Sequence, residues 1–378
     1  MTKRKNTWQP HAVRVTQPFM PPLEEFIPYL EQIWKNKHLT NNGPLHQKLE
    51  AELVDYLKVG HVSLFTNGTV ALITALQALG VQGEVITTPY SFVATSHSLI
   101  WNRMTPVFCD IDEQTLSLDP ARVERAITER TTAIMPVHCY GYPGDLEAIQ
   151  KIASKHGLKV IYDAAHAFGV GYRGTSLLNF GDLSVVSFHA TKVFNTFEGG
   201  AIISHDPETK KHIDNLKNFG IINETMTVEP GINGKMSEVN AAMGLLQLSY
   251  MPHILEQRRA RDRYYRESLA GIEHIQCLSP PPGTDNYNYS YFPILVKEGF
   301  RLGRDALYEK MREHDIFARR YFYPLISDFP TYNNLPSAQR SNLPVAARIA
   351  DQVLCLPLFP ELDYDEIDAV VGLIRASA

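Results

Sequence analysis

From about residue 62 to residue 204 the chain alternates short apolar runs with amphipathic stretches. The apolar runs predict strands over 62–66, 84–88, 106–111, 132–139, 159–164, 183–188 and 200–204. Helical spacing between them predicts helices over 70–79, 121–127 and 146–156, the last closed by Gly157. The run Ala133-Ile134-Met135-Pro136-Val137 has no polar face, as expected of a strand buried on both sides. Strands alternating with helices predict an α/β fold with a mostly parallel, seven-stranded sheet covered on both faces.

The pattern then changes. Helical spacing runs over 237–251 and again over 254–269, before a break at Ser279-Pro280-Pro281-Pro282-Gly283. Beyond it the chain predicts a strand over 291–296, a helix over 303–314 and a closing helix over 365–376. That reads as a smaller α+β unit. The expected division is a large domain over 1–250, which includes the N-terminal segment, and a small C-terminal domain over 251–378. No internal repeat or low-complexity tract interrupts either.

Composition narrows the classes. At 378 residues, 44% hydrophobic and 20% charged, the chain can bury a sizeable core. Its net charge of -5, with no basic stripe, argues against a nucleic-acid partner. No run approaches the roughly 18–20 apolar residues of a membrane span, and residues 1–17 are polar and basic. Cys109, Cys139, Cys277 and Cys355 are widely spaced, so reduced thiols are expected and neither a disulfide framework nor a metal site. These features predict a cytoplasmic protein.

Three groups of residues fall at the carboxyl ends of predicted strands, where open α/β sheets collect ligands. Thr66-Asn67-Gly68-Thr69 follows a strand and opens a helix, which suits a phosphate, although taken alone an ordinary turn with an Asn or Thr cap is the plainer reading. Asp163, in Asp163-Ala164-Ala165-His166, ends a buried strand, where a carboxylate needs a cationic partner such as a protonated pyridine nitrogen. A helix-capping role is the plainer alternative. In Ser187-Phe188-His189-Ala190-Thr191-Lys192, a hydroxyl and then a lysine follow a strand, and Glu198-Gly199-Gly200 permits a tight return. A desolvated lysine keeps a neutral amine that attacks carbonyls, although most lysines are only solvated. Together, a phosphate turn, a pyridine-pairing Asp and a Schiff-base Lys follow the chain order of fold-type I pyridoxal-phosphate enzymes.

At these residues the sequence resembles the DegT/DnrJ/StrS family of nucleotide-sugar aminotransferases. The likeness runs from Leu39-Thr40-Asn41-Asn42-Gly43-Pro44 to Leu354-Cys355-Leu356-Pro357-Leu358-Phe359-Pro360. It implies the aspartate-aminotransferase fold, pyridoxal 5'-phosphate as cofactor, and a homodimer with active sites shared across the interface. By this resemblance Lys192 is the Schiff-base lysine and Asp163 the partner of the pyridine nitrogen. Gly68, Thr69 and Ser187 are phosphate contacts, Phe92 stacks on the ring, and Asn233 reaches the phosphate of the partner's site. His166 stands where the family usually has Gln, near the cofactor's 3-oxygen, and Lys235 where it usually has Arg. His189 reads either as a cavity-wall residue or as a core or capping one.

A subset of relatives carries His at the lysine position and dehydrates sugars, so Lys192 implies transamination. The resemblance implies L-glutamate as donor and a nucleotide-linked keto-deoxysugar as acceptor. Val15-Thr16-Gln17-Pro18-Phe19, the segment 86–95 and Asp163-Ala164-Ala165-His166-Ala167-Phe168-Gly169 resemble members that aminate C4 of dTDP-4-keto-6-deoxy-D-glucose. Amination of a 3-keto sugar or a cyclitol is the alternative on the same fold. A non-catalytic cofactor-binding regulator should carry a DNA-binding segment, and none is found. A dinucleotide-dependent oxidoreductase is disfavoured, because no G-x-G-x-x-G follows a predicted strand. Arg319, Arg320 and Tyr321 face either the sugar diphosphate or a salt-bridged surface.

Overall fold

Consecutive strand residues in the middle of this chain belong to two different cores. Ile86, Ile134, Val160 and Val186 pack into one, while their neighbours Val85, Ala133, Ile161 and Val185 pack into the other. Side chains alternate across a strand, so these runs are apolar throughout because both faces of the sheet are buried. The computed structural model describes residues 12–378, and most of the polar segment over 1–17 lies outside them.

The strands are β1 (His61–Phe65), β2 (Glu84–Thr87), β3 (Thr105–Phe108), β4 (Thr131–Met135), β5 (Lys159–Asp163), β6 (Leu183–Ser187) and β7 (Gly200–Ser204). They form one seven-stranded sheet in the order β1-β7-β6-β5-β4-β2-β3. Every pairing is parallel except those of β7, which runs antiparallel to β1 and β6. The predicted strand over 132–139 stops at Met135, because Pro136 has no N–H to give the ladder. Only a single bridge, Val137 to Asp163, continues it. The antiparallel strand has a consequence for the site. β6 and β7 are joined by a short return over 188–199 and not by a helical crossover, so that return stays at the carboxyl edge of β6.

The segments expected as two helices over 237–251 and 254–269 are one 32-residue helix, Glu238–Leu269, with Pro252 inside it. An interior proline costs about 3 kcal/mol, but burial of Met251 and Ile254 on either side holds the helix together. Its first half packs in the core beneath the sheet through Leu245, Met251 and Ile254, and its second half in a C-terminal core through Tyr265 and Leu269. That second core contains an antiparallel sheet of Ile275–Cys277, Phe292–Val296 and Val353–Leu356. Helices Gly303–Glu313 and Tyr364–Arg375 contribute to it. The first and third of those strands were not predicted; at three and four residues they are too short to show a period.

The first turn of the long helix ties this frame together. Ser237 caps it by accepting from the Asn240 N–H. Glu238, 2% exposed, turns back and accepts from the N–H groups of Leu45 (3.0 Å) and His46 (2.8 Å), the open first turn of helix Pro44–Leu57. Gly43 makes room for it, since a Cβ there would lie 2.5 Å from the Glu238 carboxyl carbon. Glu238→Ala leaves both donors buried without an acceptor and should lower stability by about 3 kcal/mol in urea unfolding of cofactor-free protein. Glu238→Gln, which keeps one acceptor oxygen, should recover about half of that loss.

Candidate active site

The carboxyl ends of β1, β5 and β6 open on one cavity of ≈ 300 Å³, partly closed by residues from the C-terminal part of the chain. Gly68, Thr69, Phe92, Asp163, His166, Ser187 and Lys192 all line it. Asn233 does not: it is exposed, on a segment whose neighbour Gly234 exchanges backbone hydrogen bonds with Thr66 and Lys217.

Lys192 sits on the β6–β7 return. Its N–H donates to the His189 carbonyl (2.8 Å), and Thr196 N–H donates to the Phe188 carbonyl (3.0 Å). Asn240, from the long helix, clamps the return by donating to the carbonyls of Thr196 (2.7 Å) and Glu198 (3.0 Å). Only glycine fits at 199, where a Cβ would fall 2.0 Å from the Thr196 hydroxyl oxygen. Below the loop, Phe194 stacks on Phe168 with centroids 4.4 Å apart. The lysine backbone is therefore fixed from three sides, and its side chain reaches into the cavity.

Asp163 ends β5 and is 5% exposed. It accepts from the Thr95 hydroxyl (2.7 Å) and the Ala165 N–H (3.2 Å), and Ser91 Oγ lies 2.7 Å from Thr95 Oγ1. Burial pushes its carboxyl above the usual range, against the pull of the Thr95 and Ala165 hydrogen bonds and the Lys192 charge. Burial also lowers the Lys192 ammonium to about 8, against the opposing pull of Asp163 and Cys139. His166 is buried, and burial with the nearby Lys192 charge keeps its imidazole well below its ordinary value. Its Nδ1 accepts from the Tyr140 N–H (3.1 Å), so the neutral ring carries its proton on Nε2. Phe322 stacks flat on the imidazole at 6.0 Å.

The turn after β1 offers free backbone donors to the cavity. Asn67 caps helix Gly68–Ala78 by accepting from the Val70 N–H (2.9 Å), so the capping alternative is correct for this residue. It leaves the Gly68 and Thr69 N–H groups at the helix start, where an anion is favoured. Gly68 lies so close to Ser187 that a Cβ would come within 3.3 Å of the serine hydroxyl.

Among the remaining sequence candidates, Phe92 is 61% exposed at the cavity mouth. His189 lines the wall, with Nδ1 2.8 Å from the Thr191 hydroxyl. Lys235 donates to Asn218 (2.9 Å) and lies over the Phe219 ring. Arg320 donates to Asp305 (2.7 Å) and sits between Tyr308 and Tyr323, the salt-bridged alternative, whereas Tyr321 lines the cavity. Four wall or support residues escaped sequence reasoning: Ser91, Thr95, Tyr291 and Phe322. For Thr95 the signal was its place one helical turn after Ser91; Tyr291 and Phe322 reach the site only through the C-terminal fold.

A model of the DegT/DnrJ/EryC1/StrS aminotransferase family matches residues 23–375. The chain belongs to that family. Two relatives named dTDP-4-amino-4,6-dideoxy-D-glucose transaminase cover 96% of this chain and 98% of their own lengths. The one from Shigella dysenteriae is 59% identical and the one from Escherichia coli 52%. Among solved structures, DesI in the presence of its TDP-sugar product superposes with a TM-score of 0.92 at 34% identity, covering 97% of this chain and 92% of that one. Family membership implies pyridoxal phosphate, and the residues present fit it. Asp163 is a buried carboxylate aimed into the cavity, with Lys192 as the only cation among the described residues that acts on it. The Gly68 turn leaves a cradle that a side chain would fill.

Lys192 binds a proton less tightly in the folded than in the unfolded chain, so its burial costs stability at neutral pH. That cost fades as pH rises from about 8 towards the ordinary lysine value of 10.5. Lys192→Met should therefore stabilise cofactor-free protein at pH 7 in urea unfolding, and its advantage over wild type should shrink by pH 10.

Proposed function

We propose that this protein is a sugar-nucleotide transaminase that moves an amino group from L-glutamate to C4 of dTDP-4-keto-6-deoxy-D-glucose, with pyridoxal phosphate carried on Lys192. The observation that carries the reaction is the convergence of Lys192, Asp163 and His166 on one cavity beside the Gly68 turn. The choice of sugar rests on the 59% and 52% identity to relatives named for that product.

Each residue has a task. The N–H groups of Gly68 and Thr69 and the hydroxyl of Ser187 bind the phosphate. Asp163, its oxygens steadied by Thr95 and Ala165, holds a proton on the ring nitrogen. The cofactor, when bound, supplies the electrophilic carbon and the electron sink. When not joined to cofactor, the Lys192 amine would accept the proton of the donor α-carbon and give it back two bonds along, on the carbon that the cofactor supplies. Its lowered affinity for protons leaves a useful share of neutral amine near neutral pH. His166 keeps a proton on Nε2 for a hydrogen bond inside the cavity, and Phe92 covers the ring at the open side.

We further propose a homodimer in which Asn233 enters the partner's site. In support, the segment that bears it exposes Phe219, Ile221, Ile222, Met226, Val228 and Ile232, each at least 39% accessible. Trp34 and Trp101 are more than 70% exposed. Side chains of this size are rarely left together in water without a partner.

The loaded protein should be yellow, lose that colour with L-glutamate, and retain cofactor on the Lys192 peptide after borohydride. Lys192→Ala should still bind cofactor but lose the trapped adduct and about 10³-fold in turnover. NMR of the product should show nitrogen at C4; nitrogen at C3 would overturn the sugar assignment. In sedimentation the protein should run as a dimer, and a monomer with full turnover would refute the shared site.

A further inference from the structure

One buried hydroxyl in the cavity is unused by these assignments. Tyr291 is 8% exposed, and among the described residues its hydroxyl has two polar neighbours, Lys192 Nζ at 3.3 Å and His166 Nε2 at 3.5 Å. The ring is held from behind. Arg258, fully buried, donates to the carbonyls of Tyr289 (3.1 Å) and Leu358 (3.2 Å). Ser290 donates to the Tyr140 carbonyl (2.9 Å). That last bond ties the Tyr291 segment to Tyr140, whose N–H sets the His166 tautomer.

The hydrogens in this row have a direction. Because His166 Nδ1 accepts from the Tyr140 backbone, Nε2 carries the proton and can only donate, and it faces the Tyr291 oxygen. As an ammonium, Lys192 Nζ donates to the Tyr291 oxygen over this 3.3 Å contact; as a neutral amine it can instead receive the Tyr291 proton. A neutral amine has a lone pair to receive it, whereas an ammonium has three donors and no acceptor. With an ammonium, the phenol oxygen would face two donors while its own proton had no partner. We infer that Tyr291 is a positioning residue that shifts the Lys192 amine, when it is not joined to cofactor, towards its neutral and proton-accepting form by donating to Nζ.

Other groups facing the amine act in known directions. Asp163 and Cys139 favour the ammonium, and burial the neutral form; the Lys192 charge in turn helps keep His166 neutral. Tyr140, Tyr321, Cys355 and Arg258 surround the Tyr291 ring from the remaining elements. His189 and Glu198 lie on the lysine's own loop and line the cavity. None of them places a hydroxyl donor at Nζ.

The inference rests on the reading of Lys192 as the reactive amine, and the test separates the two. Cofactor-free wild type and Tyr291→Phe are labelled with excess trinitrobenzenesulfonate across pH 6.5 to 11. The rate at Lys192 is read by peptide mass spectrometry. Removing the donor should move the midpoint of the rate curve up by about one pH unit, so that labelling at pH 7 slows about tenfold while the high-pH plateau is unchanged. Replacing Tyr291 with 3-fluorotyrosine, which keeps the shape and donates more strongly, should move the midpoint the other way. A midpoint that stays or falls in Tyr291→Phe, as expected if the ring only fills apolar space, overturns the inference. So does a change confined to the plateau, which reports access alone. Urea midpoints confirm that both variants are folded. Failure of borohydride to fix cofactor on Lys192 in loaded wild type would instead remove the lysine assignment, whatever the labelling curve.

Discussion

A carboxylate and an amine withdrawn from water at the edge of one sheet dominate this molecule. Neither is stable there alone, since each loses hydration that a single neighbour restores only in part. The structure answers with fixed groups: Thr95 and the Ala165 N–H on Asp163, and a loop clamped from three directions under Lys192. Burial makes the lysine a weaker base than a solvated one, and for the proton transfer proposed above a weaker base near neutral pH is the better shuttle.

The sheet topology is what brings the two charges together. β5 and β6 are adjacent and parallel, so Asp163 and Ser187 end at the same edge. β7 then reverses, keeping the intervening loop there instead of sending it across the sheet. β1 lies on the other side of β7 and delivers the Gly68 turn next to Ser187, with Gly200 thin enough for the backbones to touch. Three separate stretches of sequence become one site because a single strand runs the wrong way.

Much of this was legible in the residues. All seven strands of the large sheet could be placed, because buried strands keep apolar runs, and helix Leu146–His156 ends where Gly157 takes a left-handed conformation. The residues Gly68, Asp163, Ser187 and Lys192 were found together because each follows a strand. What stayed hidden depends on contacts between distant segments. Tyr291 and Phe322 carry no local mark of a site, and only the fold of the C-terminal part returns them to the cavity. The helical spans over 237–251 and 254–269 leave out Pro252, and burial on both sides of it is what joins them into one helix. Arg320 was ambiguous until Asp305 appeared beside it, in the first turn of a helix that starts seventeen residues earlier in sequence.

The opening turn of the long helix, Ser237 to Asn240, touches more of the molecule than its size suggests. Helix ends normally fray, opening and closing while the middle stays shut. Here the end is the fastener: Glu238 buttons down the start of another helix and Asn240 the loop that bears Lys192. Amide protons of the loop around Thr196 and of residues 45–46 should therefore exchange together, as one cooperative latch, though nearly 150 residues separate them along the chain.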